Sequence, residues 1–281
     1  MPNTLHFILT HPLGGRRPAS ALARYVAWQV GSRIKRDHIH PWIEGTRLAV
    51  RNGMTGATGN IYCGLHEFTD MAFVIHALRP GDLFLDIGAN IGSYTVLASG
   101  VCGARSIAFE PDPGTAHNLH RNVTLNDIGR LVTVHETALG ATSGQVSFTV
   151  GRDTVNRVAD PDESETRLVS LSRLDDIPGV LEPTVIKLDV EGYEDQVLAG
   201  ATRALASKSL LAVETEALDG PIARALENNG LQRRFYDPFA RRLLDAAGTH
   251  ASSNALFVRN EDALARRLAD APRRRIAGIM L

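Results

Sequence analysis

From Leu83 onward the chain alternates short, unbroken apolar runs with segments whose apolar residues recur every three or four positions, so strands and helices are predicted in turn. Strands are expected at Leu83 to Asp86, Arg105 to Pro111, Leu131 to Leu139, Gln145 to Val150, Val169 to Leu174, Val185 to Asp189, Ser209 to Thr215 and Ala255 to Arg259. Between them, Asp112 and Pro113 open a helix to about Asp127 with Ala116, Leu119 and Val123 on one stripe. A second helix follows Glu194 with Val197, Leu198, Ala201 and Leu205 on one face, and a third runs from Pro221 to Asn229 and is stopped by Gly230. Such alternation predicts an α/β fold, a doubly wound and mostly parallel sheet with helices on both faces, whose ligand cleft lies at the carboxyl ends of the strands.

Ahead of this block the pattern differs. Pro18 to Arg36 reads as an amphipathic helix, with Leu22, Val26, Val30 and Ile34 at helical spacing, expected to pack across the main domain or to form a homodimer contact. Thr46 to Tyr62, punctuated by Gly53, Gly56 and Gly59, predicts a hairpin or two; Glu67 to Leu78 predicts a helix ended by Pro80 and Gly81. Asp262 to Arg275, with Leu264, Leu268 and Ala271 on one side, predicts an interface helix. The expected division is an N-terminal extension over residues 1–61, the main domain over 62–260 and a C-terminal helix over 261–281. Arg152 to Arg167 is polar and poor in apolar residues, and a loop of that size predicts a lid or an acceptor-binding segment.

Composition narrows the partners. Lys and Arg number 30 against 31 Asp and Glu, a net charge of -1, so no overall field recruits nucleic acid, and the runs at Arg233-Arg234, Arg241-Arg242 and Arg273 to Arg275 read as solvated faces. Hydrophobic residues at 44% with charged residues at 22% place the chain among folded globular proteins. Cys63 and Cys102 have no metal or redox spacing, which fits a reducing compartment. The early apolar run, Leu5 to Leu9, is too short for a signal-peptide core or a membrane span, so a cytoplasmic location is expected.

The candidate chemistry begins where the first of these strands runs into Asp86-Ile-Gly88-Ala-Asn90-Ile-Gly92 and a helix. Gly88 and Gly92 allow a tight bend and close approach of backbone to a ligand, and the helix start offers N–H groups to an anionic group. The next strand ends in Glu110, where a nucleotide-binding sheet places a carboxylate for ribose hydroxyls. Asn90 stands where a pyrophosphate-binding turn has its middle glycine, which argues against a dinucleotide. A phosphate-free cofactor with an amino-acid end and an adenosine end, S-adenosyl-L-methionine, matches Asp86, Asn90 and Glu110 instead.

Several motifs in order resemble the FkbM family of S-adenosylmethionine-dependent methyltransferases: Glu67 in Tyr62-Cys-Gly-Leu-His-Glu67, Pro80-Gly-Asp82, Asp86 to Gly92, Phe109-Glu-Pro111, Asn118 with Asn122, Leu174-Asp-Asp176, and Lys187-Leu-Asp-Val-Glu-Gly-Tyr-Glu194. The similarity covers roughly Tyr62 to Glu216. It implies a seven-stranded methyltransferase sheet, cofactor over Gly88 to Gly92 and Glu110, and methyl transfer to a hydroxyl, mostly on sugars of glycans, glycolipids or glycosylated natural products. Small-molecule or glycan acceptors are therefore the expected partners.

Methyl transfer to an alcohol needs a base, and the strand-end acids supply candidates. Asp189 is expected as that base and Glu191 as the second choice or as an acceptor-orienting group, while Glu67 serves the methionine end or starts its helix. A rival use of the acids is a divalent cation on Asp189, Glu191 and Glu214; Glu194 reads as a helix cap. Two other functional classes stay open at this point, a nicotinamide-dependent oxidoreductase on the same kind of sheet and a cofactor-binding module without turnover. Asn156, His135 and Tyr94 read as structural.

Overall fold

The structure is a computed structural model and describes residues 4–35, 37–51, 53–149, 156–160, 162–216, 218–250 and 252–281. The chain opens with α1 (Thr4–Thr10) and α2 (Pro18–Ile34), a hairpin of β1 (Asp37–Pro41) and β2 (Arg47–Arg51), and α3 (Thr55–Cys63). Next come α4 (Phe68–Ala77), β3 (Leu83–Ile87), α5 (Ser93–Thr95) continuing as a π-helical turn over Val96–Val101, β4 (Arg105–Phe109), α6 (Pro113–Leu125) and β5 (Val132–His135). Three small strands follow, β6 (Ala138–Leu139), β7 (Gly144–Thr149) and β8 (Thr166–Ser172), and then β9 (Val185–Leu188), α7 (Glu194–Ala199), α8 (Thr202–Leu205), β10 (Ala212–Thr215) and α9 (Gly220–Asn228). The chain closes with β11 (Gln232–Asp237), β12 (Arg242–Leu244), β13 (Ala255–Val258), α10 (Glu261–Ala269) and a hairpin of β14 (Arg275–Ile276) and β15 (Ile279–Met280).

The central sheet runs in the order β12-β11-β13-β10-β9-β3-β4-β5. The run from β10 to β5 is parallel, and β13, β11 and β12 extend it with antiparallel pairings. β3, β9, β10 and β13 are buried along their whole length, which is why they read as continuous apolar runs. One face is covered by α4, all of whose residues are buried, together with α5 and α10; the other is covered by α7, α8 and α9. The chain steps outward from β3 to β4 and β5 and then returns to β9 on the opposite side of β3. A crevice forms at that switch point.

Several expectations change. The main sheet has eight strands; β11 and β12, rich in arginine, form its antiparallel edge, where charged side chains reach water and deter further pairing. The expected strands at Gln145 and Val169 exist as β7 and β8 but pair with β6 in a separate three-stranded sheet. Among the described residues Thr46 to Tyr62 holds one strand, β2, whose partner is the earlier β1, and Thr55–Cys63 is helical. The C-terminal helix ends at Ala269, and its Leu264 and Leu268 are buried against α4 within this chain. Of the segment read as a lid, residues 152–155 and 161 lie outside the described residues; Arg157 and Ala159 pair with β7 through Thr149 N–H to Arg157 O at 2.8 Å and Ala159 N–H to Ser147 O at 2.8 Å. Among the described residues no helix is long and apolar enough to cross a membrane.

Candidate functional site

A cavity of about 290 Å³ opens at the carboxyl ends of β3, β4 and β9, and Glu67, Gly88, Asn90, Glu110, Asp189 and Glu191 all line it. Its floor is the turn after β3. Gly88 has φ of +81°, and a Cβ there would stand 1.8 Å from the carbonyl oxygen of Asp189, so only glycine lets the two strand ends lie back to back. Gly92, at φ +84°, is not on the cavity wall; it starts α5 and lies against Leu119, whose Cδ1 would be 2.3 Å from a Cβ.

The N–H groups of this turn are consumed internally. Gly88 and Ala89 donate to the carbonyl of Phe109 at 3.1 and 2.9 Å, and Gly92 to that of Ala89 at 2.8 Å. Asn90, in the left-handed region at φ +51°, donates its N–H to Glu110 Oε2 at 2.9 Å, while its own Oδ1 accepts from the N–H of Ile91 at 2.7 Å. The expectation that the turn itself cradles an anion is therefore corrected. It is a closed turn whose product is a fixed Glu110.

That carboxylate is held twice, since Oε1 accepts from the N–H of Asp112 at 2.9 Å, and each oxygen keeps a second lone pair for a ligand. Burial pushes Glu110 up to about 7, the two N–H bonds pulling the other way. Asp112 in turn caps α6, accepting from Thr115 N–H at 2.8 Å with Pro113 at the first position, as the sequence predicts. Asn122 of α6 ties the N-terminal extension to the turn: Oδ1 accepts from Ala49 N–H at 2.7 Å, and Nδ2 donates to Ile91 O at 2.8 Å.

Behind the cavity stands a buried charged row. Glu214 on β10, Lys187 on β9 and Asp86 on β3 are register partners across three neighbouring parallel strands. Lys187 is 3% exposed, forms an ion pair with Asp189 Oδ2, and lies 4.7 Å from the centre of the Tyr94 ring. Burial alone would lower the lysine, yet the carboxylates of Asp189, Glu67 and Asp86 hold it raised. Asp86 does not line the cavity; it is fully buried, Oδ2 accepts from Thr95 Oγ1 at 2.6 Å, and Oδ1 has no hydrogen-bond partner among the described residues. Burial pushes it up to about 6, against the pull of Lys187. Glu67 starts α4 at the N-cap position without a side-chain cap bond, and its carboxylate instead accepts from the Tyr94 hydroxyl at 2.8 Å, so Tyr94 does more than pack.

The acids divide differently from the sequence expectation. Glu214 faces the interior, 2% exposed, with burial and then the charge of Asp70 holding it well above the usual carboxylate range. It is thereby removed from the expected cation set. Its place beside Asp189 and Glu191 is taken by Glu216, which sequence reasoning missed: one carboxylate oxygen from each of the three lies within 4.8 Å of the others. Glu216 is exposed at the rim of the cavity, where partial burial, and then the charges of Asp189 and Glu191, push it up to about 7; burial followed by Asp189 and Glu194 also raises Glu191. Glu191 sits in the left-handed region at φ +54°, followed by Gly192 at +94°, which bends the strand end over the cavity. Glu194 begins α7 but makes no cap of its free N–H groups; its carboxylate accepts from Gly192 N–H, ahead of the helix, at 3.2 Å. Phe148, Val158, Thr137 and Asn156, from the small sheet and its flank, form the opposite wall, and His135 stacks on Phe109 at 5.3 Å.

Residues 86–241 match the sequence profile of the family described as the methyltransferase FkbM domain. Among curated proteins, a hexuronic acid methyltransferase, AglP, of Haloferax volcanii is 32% identical over 147 residues, 51% of this chain and 60% of that protein. A protein called methyltransferase 1 of Beauveria bassiana is 26% identical over 159 residues, 47% of this chain and 64% of that one. The chain thus spans somewhat under two thirds of the length of these relatives. Among solved structures, precorrin-6y C5,15-methyltransferase of Geobacter metallireducens superposes with a TM-score of 0.42 at 15% identity, covering 75% of this chain and 92% of that one.

Proposed function

Because this chain belongs to the FkbM family of S-adenosylmethionine-dependent methyltransferases, we propose that it transfers the methyl group to a hydroxyl oxygen of a sugar. The relative from Haloferax volcanii, a hexuronic acid methyltransferase, supports the sugar, and the observation that carries the chemistry is the meeting of Asp189, Glu191 and Glu216 at the cavity. Family membership leaves the nicotinamide-dependent alternative without support.

The residues suit the cofactor. Both Glu110 oxygens keep a lone pair for ribose hydroxyls, Glu67 on the cavity wall supplies an acceptor for an ammonium, and the closed turn suits a cofactor without phosphates. When bound, it supplies an electrophilic methyl on a sulfonium. The protein then has to orient the acceptor and remove its proton. Lys187 claims one oxygen of Asp189, which fixes that carboxylate and suits it to hold the acceptor hydroxyl. Glu216, held near neutrality, suits receipt of the proton, with Glu191 beside it.

The first test is thermal denaturation with added ligand. S-adenosylmethionine or its demethylated product should raise the melting temperature and NAD should not; the reverse would sink the reading. A chain that binds the cofactor but never methylates any member of an oligosaccharide panel would be a binding module. Glu110→Ala should weaken cofactor binding about ten- to hundredfold, the worth of hydrogen bonds to a charged acceptor, as read by calorimetric titration. Because Glu110 in the free protein titrates near 7, wild-type affinity should fall as pH drops below that value, whereas Glu110→Gln should show a flat profile.

A second reading gives Asp189, Glu191 and Glu216 a divalent cation, which their mutual spacing favours. Methyl transfer after treatment with a chelator separates the two readings. Persistence is expected if the carboxylates act as base and orienting groups, and loss restored by magnesium or calcium would select the cation.

A further inference from the structure

We infer that the outward face of α2 docks on an anionic lipid surface. The helix is apolar on both sides: Ala21 and Trp28 join a buried cluster with Leu22 and Tyr25 packed against it, and the outward side is apolar as well. Ala21, Trp28 and Ser32 are its buried positions, and Arg24 turns inward to donate to the carbonyl of Tyr62. The residues left facing water are Ala19, Ala23, Val26, Ala27, Val30 and Ile34, with Ser20 and Arg33 beside them. Val26 is 57% exposed, Val30 56% and Ile34 77%. These lie on one side of the helical wheel, so the strip is continuous along the length of the helix.

Charge identifies what covers it. α2 contains no acidic residue; Arg33 in its last turn borders the strip and Lys35 follows at the C-cap. Residues 1–60 carry eight Lys and Arg against two acids, Asp37 and Glu44, whereas the rest of the chain carries 22 against 29. The apolar strip thus belongs to the positive segment of a nearly neutral molecule. An interfacial helix needs this combination, an apolar face to enter the headgroup boundary and cations for anionic lipid. A second copy of the chain fits less well. Two such helices face to face oppose cation with cation, and a strip roughly 25 Å long and 10 Å wide is far below the about 800 Å² per partner of a stable dimer.

The position of the helix gives docking a consequence. α2 packs on α3, with Arg24 bonded to Tyr62 O and the Tyr25 and Tyr62 rings 5.3 Å apart, and Ala57 and Asn60 of α3 line the cavity. Two helix layers, α2 and α3, would therefore stand between the lipid surface and the cavity, roughly 20 Å.

Co-sedimentation of the full chain with vesicles tests this. Vesicles of phosphatidylcholine with about one third phosphatidylglycerol should pellet the protein, phosphatidylcholine alone should not, and added salt should weaken binding. Val30→Glu combined with Ile34→Glu should reduce binding at least tenfold, and Arg33→Gln about fivefold, with melting temperatures unchanged because all three positions are exposed. Failure to pellet with anionic vesicles, or binding indifferent to the double variant, would overturn the inference. So would a dimer in sedimentation velocity that the double variant disperses, since the face would then belong to a second copy. None of these readouts involves methyl transfer, so the inference stands or falls apart from the proposed activity.

Discussion

Glu216→Gln is expected to lower turnover about a hundred- to ten-thousandfold, the range lost with a positioned general base, while leaving cofactor affinity close to wild type. The amide keeps the size and hydrogen-bonding reach of the side chain and removes its capacity to take a proton. In the free protein burial and the neighbouring charges of Asp189 and Glu191 raise Glu216 from an ordinary carboxylate value to about 7. A base works only when ionised, so with the cofactor saturating, which removes the titration of Glu110 from the profile, kcat/KM for the acceptor should rise as pH climbs through 7 and level above it. In the glutamine variant that acid limb should vanish. Asp189→Asn should behave differently, weakening acceptor use, because the amide cannot keep the ion pair with Lys187 that fixes its position. Near-normal turnover in Glu216→Gln, or an acid limb that survives it, would return the base role to Asp189.

The acids of this site were only partly legible in the sequence, and the reason is geometric. A strand buried on both faces announces its own end when the apolar run meets a charge, so Asp86, Glu110, Asp189 and Glu214 stand out. What the run does not say is which of two acids two positions apart reaches the cavity. Glu214 closes the apolar stretch but belongs to the interior row with Lys187, and the cavity takes Glu216, one residue beyond the end of β10. Lysine is seldom buried without partners, and only Asp189 of its partners is local, the others coming from β3 and the start of α4, so the sequence shows the motif but not the burial of Lys187.

Glycine misled in the same way. Gly59 reads as turn punctuation, yet it lies inside α3, where a Cβ would stand 1.9 Å from Nδ1 of His66. It is there for close packing, which a single sequence does not distinguish from a bend. The α/β alternation from Leu83 onward was legible because each parallel strand and each covering helix carries its own periodicity. The arginine-bearing edge strands β11 and β12 carry almost none, since edge positions face water and lose the apolar run.

Lys187→Met tests how much of the fold rests on this cation, and it should cost about 3–5 kcal/mol of stability near pH 8, the range found when one partner of a buried charged group is removed. Methionine matches the length of the side chain, so the loss reads charge rather than cavity. Without the lysine, Asp86 and Glu214 face each other across β9 with no cation between them, and Asp189 and Glu67 lose the same partner. Burial already raises Asp86 to about 6 and Asp70 to about 7, and removal of the cation raises both further. The folded variant then binds protons that its unfolded chain lacks between the ordinary carboxylate range and those raised values. Stability in the variant must therefore fall as pH rises through this window and be partly regained as pH drops back through it. Urea unfolding of wild type and variant at pH 6 and pH 8 measures the difference directly: the gap should be clearly smaller at pH 6. Equal gaps at both values would mean that the acids around Lys187 stay ionised without it, and that the row across β10, β9 and β3 is held by something other than its charge.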